Sequence, residues 1–352
     1  MPPIHLFQGK RMTTPSLAGF LELTGANFTL FDLGVQLKKM PKGALKQLDE
    51  GEPYPSPYLN FAWLVILLWN PENKAQNSFW FLKLPLDEMG QLGTAVHSDL
   101  VNRLYRSIQT QDEAERQRLL TDHPYQFTPS DEKKAALHAY ATKQLGSPAS
   151  PFHLPAINYY CGTDSNLDWQ TLGLQGISDA LVRLSDREER ALIEHIAHIP
   201  SEPFIALMHQ LEHCQASTQL VQAILGRATI YTQAAEMVAV VRAVSQSKAK
   251  LLVRPVIEQG LKFFAKNLEL LLAIITRYPS WISETDFSIP ILDQLAQVTD
   301  IDGFIRTIQH LSIQPGQQGI VMTLLKAPNI TPALANALSA LIQEHRGQRD
   351  VH

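Results

Sequence analysis

Asn60–Pro71 reads NFAWLVILLWNP, and Ser78–Pro85 reads SFWFLKLP; these two stretches decide the class of the first half of the chain. Phe61–Trp69 is wholly apolar, with Val65 and Ile66 β-branched and aromatic side chains at both ends. A run of that length and composition reads as a buried strand rather than a helix. The polar NPENKAQN that follows is a hairpin loop, and residues 78–85 return as the antiparallel partner. Upstream, NFTLFDLG at 27–34 alternates Phe28 and Leu30 with polar or small neighbours, giving a third strand. Ser16–Leu23 and Lys42–Asp49 read as short helices. Downstream, helices are expected over Gln91–Ile108 and, after the capping string TPSDEKK, over Ala135–Leu145, with a charged connector between them. Residues 1–145 are therefore expected to form an α+β module, a small antiparallel sheet with helices, in which residues 1–15 are disordered.

GSPASPFHLP places Pro148, Pro151 and Pro155 close together, so residues 146–156 read as a Pro-rich linker. From there to the end, residues 157–352, the pattern is helical. Trp169, Leu172, Gly173, Gly176, Ile177, Ala180, Leu181 and Leu184 recur at the spacing of one helix face. Breaks are expected at Pro200, near Gly226, and at Gly260, Pro279, Pro290, Pro315–Gly316 and Pro328. Helices so spaced suggest a helical array, HEAT-like or α-solenoid in architecture, with an irregular helical domain as the alternative because repeats are not evident.

FTLFDLG, GEPYPSPY, FAWLVILLWNP and WFLKLPLDEMG together resemble the bacterial family known as domain of unknown function 3549, over most of the chain. The resemblance implies a bacterial, soluble, full-length unit. It carries over no reaction, cofactor or site residue.

With 352 residues, 45% hydrophobic and 18% charged, the chain is long enough to bury sizeable cores and too apolar for global disorder. Two cysteines, Cys161 and Cys214, are too few for a disulfide framework, so a reducing, cytoplasmic location is expected. The longest apolar run falls far short of the roughly 20 residues that span a membrane. Net charge is −4, yet residues 242–277 carry Arg242, Lys248, Lys250, Arg254, Lys262, Lys266 and Arg277 against only Glu258 and Glu269. Mixed with Phe263, Phe264 and Tyr278, that run raises RNA binding. Its plainer reading puts both Phe in the core and the cations on solvated faces.

His209-Gln-Leu-Glu212-His213 matches H-x-x-E-H, an inverted zinc-peptidase motif. On a continuous helix the two His lie one turn apart, with Glu212 as the base for a zinc-bound water and Glu284 as the third ligand. The motif's expected place among helices, without strands, favours a solvated flank instead. His195, His198 and Cys214 widen the cluster towards a structural metal. Cys161 with His153 and Asp164 has the ingredients of a thiol nucleophile, against a plain buried cysteine. Asp87 and Glu88 read as capping groups rather than a catalytic pair. Trp63, Trp69 and Trp80 either fill a thin sheet or, where one is exposed, anchor a partner.

No catalytic constellation outweighs its plain reading, so the leading expectation is a non-enzymatic interaction or scaffold protein that holds another protein and binds no cofactor. Its contact candidates are Trp63, Trp69, Trp80, Arg242, Lys248, Lys250 and Arg254. A zinc-dependent hydrolase and an RNA-binding array through residues 242–277 are the alternatives.

Overall fold

A computed structural model describes residues 15–164, 166–228 and 233–349 of the protein. The chain divides into two compact units at Lys133/Lys134, inside a helix and ahead of the Pro-rich segment where the sequence suggests the joint. The disorder expected of residues 1–15 concerns a stretch that, but for Pro15, lies outside the described residues.

The first unit runs α1 Leu17–Thr24, β1 Asn27–Asp32, β2 Lys38–Met40, α2 Gly43–Asp49, β3 Phe61–Trp69, β4 Asn77–Pro85, α3 Thr94–Gln109 and α4 Glu113–Thr121. The Ser16 hydroxyl accepts from the Gly19 N–H and caps α1. The Asp49 carboxylate, ending α2, takes the Leu17 and Ala18 N–H groups at 2.8 Å each, tying the two helices together. The sheet is antiparallel in the order β2-β1-β3-β4, four strands rather than the expected three. The extra strand, Lys-Lys-Met, is too short and too charged to show as a strand in sequence, and its lysines suit an edge.

β3 lies between β1 and β4, with Leu30, Ile66 and Trp80 in register. Leu30, Ala62, Leu64, Ile66, Leu82 and Leu84 point to a core closed by Phe20 and Leu21 of α1, Leu45 of α2 and Leu100 and Leu104 of α3. Phe31, Val65 and Leu67, on the opposite face, are buried as well. A strand buried on both faces has no reason to alternate, which is why Phe61–Trp69 reads as one apolar run. α4 is a helix where a connector was expected. It buries only Leu119, and it is held by the Asp112 cap and by an Arg106–Glu115 bridge of 3.1 Å.

Tyr58 and Phe61 exchange backbone hydrogen bonds of 3.0 and 3.1 Å around Leu59 and Asn60, both left-handed at φ 50° and 61°. Leucine pays about 1 kcal/mol for that conformation, whereas asparagine adopts it readily. Leu59 is exposed and gives up little on replacement. Leu59→Asn is therefore expected to raise the unfolding free energy by about 1 kcal/mol in urea titration; an unmoved midpoint would mean the turn relaxes without strain.

α5, Asp131–Leu145, enters the second unit, which continues with α6 His153–Tyr160, α7 Gly173–Arg183, α8 Asp186–His195, α9 Ser201–Leu211, α10 Thr218–Ala228, α11 Ala234–Ala243, α12 Arg254–Phe264, α13 Leu268–Arg277, α14 Pro279–Ile282, α15 Thr285–Val298, α16 Ile301–Ser312, α17 Ile320–Leu325 and α18 Pro332–Arg349. Short 3-10 turns at Trp169–Leu172, Ile196–His198 and Lys250–Val253 lead into or out of these helices. α7 packs on α9, α9 on α11, α11 on α13 and α13 on α15. Side chains bond backbone carbonyls between these layers: Tyr160 Oη to Pro203 O at 3.0 Å, Tyr278 Oη to Val241 O at 2.8 Å, and Ser247 Oγ to Ala216 O at 3.0 Å. One apolar core, from Ala139 to Leu341, runs through the unit.

Three sequence expectations change here. α6 occupies part of the presumed linker, because Pro155 sits in its first turn, where a missing N–H costs nothing. Gly260 lies inside α12 rather than ending it, on the buried side, where the flexible end of Met237 of α11 packs against it. Pro290 likewise lies inside α15. Among the described residues no helix is long and apolar enough to cross a membrane.

Candidate functional site

The H-x-x-E-H string does not sit on one helix. α9 stops at Leu211, Glu212 is its C-cap, and His213 donates its backbone N–H to Gln210 O in a tight turn. Glu212 and His213 are not solvated either: His213 is buried, and Glu212 Oε2 accepts from Arg277 Nη2 at 3.0 Å in a pair whose side chains are 12% and 7% exposed. Glu284, at the start of α15, accepts from Arg254 Nη1 at 2.6 Å. Among the described residues no three His, Cys, Asp or Glu side chains are placed to share a metal ion. Of the proposed zinc set, the base Glu212 and the third ligand Glu284 are thus held in two separate ion pairs.

Cys161 donates to Glu188 O at 3.4 Å, and burial pushes its thiol up to about 11, well away from a thiolate at neutral pH. Asp87 Oδ1 accepts from the Met89 and Gln91 N–H groups, and so closes a turn. The three tryptophans do not form one patch. Trp80 faces the core against Phe20, at 5.9 Å between rings. Trp63 is on the other face, donating its indole N–H to Tyr58 O at 2.8 Å and meeting Phe127 edge-on at 5.0 Å. Trp69, at the end of β3, pairs with Asn27 and Asn77. All three are half-buried, the accessibility of sheet-filling side chains.

Sequence reasoning missed a buried carboxyl at the end of β1. Asp32 is 3% exposed, and its Oδ1 accepts from Tyr54 Oη at 2.9 Å. Desolvation by burial raises its pKa from 3.8 to about 7, against the opposing pull of Tyr54, the Gly34 N–H, Lys38 and Lys133. Lys133 Nζ donates to Leu33 O at 2.9 Å on the loop just beyond. Nothing in NFTLFDLG marks this aspartate as buried, since strand ends commonly carry solvated acids. A cavity of about 360 Å³ also opens beside β4, among Trp80, Leu82, Leu100, Leu104, Leu120 and Phe127. Of its polar groups, Gln126 Nε2 donates to Leu120 O at 3.1 Å, and His123 Nδ1 accepts from the Tyr125 N–H at 3.3 Å.

The basic run is sorted by the structure into two kinds of cation. Arg254 is held by Glu258 and Glu284 and lies over the Phe287 ring, 4.7 Å from its centroid. Arg277 is spent on Glu212, and Arg242 is half-buried at the end of α11. Lys248, Lys262 and Lys266 are exposed and Lys250 half-exposed; among the described residues none of these four makes an ion pair.

Apolar side chains stand exposed among them. Phe263 is 74% exposed, Leu251 66% and Leu252 43%. Phe263 was expected in the core, but only Phe264 packs there. Counting from Leu252, Pro255, Gln259, Lys262, Phe263 and Lys266 recur at helical intervals of three and four, all exposed, while Ile257 and Gly260 on the opposite side are buried. The Lys250–Val253 turn and α12 therefore present one apolar and basic stripe. Charged side chains flank a hollow of about 390 Å³ beside it, Arg254 and Lys262 with Glu258 and Asp286, and leave it electrically balanced.

No curated protein and no solved structure matches the chain. The sequence profile of one family, described as a protein of unknown function, matches residues 12–342, nearly the whole length, and the chain belongs to that family, DUF3549.

Proposed function

We propose that this protein is a non-enzymatic scaffold of the bacterial cytoplasm whose helices, stacked in the manner of a HEAT-like solenoid, hold another protein against the stripe of the Lys250–Val253 turn and α12. One observation carries the reading: Leu251, Leu252 and Phe263 are exposed within thirteen residues of chain, and Phe263 is 74% exposed. Single exposed apolar side chains are ordinary, as Met89, Ile301 and Met322 illustrate here. Leu252 and Phe263 on one stripe, with Leu251 exposed next to Leu252 in the chain, give the large aromatic and aliphatic bodies that partner surfaces use as anchors. Stacked helices supply such faces without demanding any particular chemistry elsewhere.

Affinity capture with the full-length chain tests this, run with nuclease and with a Phe263→Ser, Leu252→Ser variant in parallel. The wild type is expected to retain a stoichiometric protein that the variant loses while keeping its thermal midpoint, since neither side chain supports the core. A protein retained equally by both, or material that disappears with nuclease, contradicts the reading.

A further inference from the structure

We infer that the partner segment on this stripe is an acidic amphipathic helix. The inference deepens the docking reading above and depends on it. Its argument is charge complementarity around apolar anchors. Lys248, Lys250, Lys262 and Lys266 each lie within three residues of Leu251, Leu252 or Phe263 in the chain, and none makes an ion pair among the described residues, though Lys262 also lines the hollow with Glu258 and Asp286. The carboxylates nearest in sequence are otherwise engaged. Glu258 is tied to Arg254 at 3.2 Å, and Glu269 sits in the first turn of α13, where it offsets the positive helix end. Unpaired lysines that flank exposed apolar groups favour a partner carrying negative charge and disfavour a basic one.

Spacing gives the shape of the partner. Leu252 and Phe263 are eleven residues apart along a nearly continuous helical stretch, about 16 Å along its axis. A helix lying alongside meets that span with apolar residues at i, i+4, i+7 and i+11, its glutamates and aspartates falling to the flanks where the lysines are. The cation types point away from RNA. Arg254 and Arg277, two of the three planar side chains in the run that would stack on bases or fork onto phosphates, are held by carboxylates, and the third, Arg242, is half-buried at the end of α11. The exposed cations of the stripe are lysines and two of the three exposed anchors are leucines, a pairing suited to a protein helix.

The experiment uses the full chain and two designed peptides of about eighteen residues that share Leu at i, i+4, i+7 and i+11, one flanked by Glu and the other by Lys. Binding is read by fluorescence anisotropy at low and high salt, beside a single-stranded RNA oligomer. The acidic peptide is expected to bind at least about tenfold tighter than the basic one, to weaken with salt, and to lose about tenfold with Phe263→Ser. Lys262→Glu with Lys266→Glu is expected to reverse the preference. Equal binding of both peptides, lost with Phe263→Ser, would overturn the acidic partner and leave the docking surface standing. Binding of neither peptide, binding indifferent to Phe263→Ser, or salt-sensitive RNA binding in place of the acidic peptide would overturn both.

Discussion

Asp32→Asn is expected to raise the unfolding free energy by roughly 4 kcal/mol at about pH 8, with the gain shrinking by about 1.4 kcal/mol per unit as pH falls from 7 towards 4. The Asp32 carboxyl is buried at the end of β1, and desolvation raises its folded pKa to about 7 from 3.8. Between those values the folded chain keeps a proton that the unfolded chain has released. Wild-type stability therefore falls as pH rises through the window, and it carries the full cost above pH 7. Asparagine has no charge to bury, and its Oδ1 still accepts from Tyr54 Oη. Paired urea titrations across the window test this, and parallel pH profiles for wild type and variant would show that Asp32 ionises freely in the fold.

Glu212→Ala is expected to cost about 3 to 5 kcal/mol, because it strands the Arg277 guanidinium, 7% exposed, without its carboxylate. Glu284→Ala, which removes a carboxylate 50% exposed at its bridge to Arg254, is expected to cost less than about 1 kcal/mol. The contrast matters because both glutamates figure in the zinc reading of H-x-x-E-H, where their losses should act together through a metal. Replacing Glu212 and Arg277 together by Met is expected to recover most of the Glu212→Ala loss, since no buried charge then remains. Denaturant midpoints decide it; equal costs for Glu212→Ala and Glu284→Ala, both relieved by added zinc, would restore the metal.

The β3–β4 hairpin was legible because a long apolar run bounded by NPENKAQN leaves a single economical reading. β2 was not, since three residues with two lysines form a strand only by pairing with β1. α6 was hidden by three prolines of which one sits harmlessly in a first turn. The array was legible in outline, but Gly260 and Pro290 punctuate the sequence without breaking their helices, because burial of Ile257 in α12 and of Ile289, Ile291 and Leu292 around an exposed Pro290 in α15 overrides local preference. Charge in residues 242–277 was plain, yet which cations stay free depends on Glu212 and Glu284, 65 and 30 residues from the arginines they hold. Those two contacts engage at once the proposed zinc base and third ligand, and two of the three arginines that made RNA attractive. The exposure of Phe263 beside a half-buried Phe264 turns on the phase of α12 alone, which an FF pair does not reveal.

The most direct test of a docking surface on α12 is photo-cross-linking in cells of the organism that encodes the protein, with benzoylphenylalanine at position 263 and, as control, at exposed Gln297 on α15. A single cross-linked protein species at 263, absent at 297, is the predicted result. The same adducts at both positions, or none at 263 in a protein that stays folded, would contradict it.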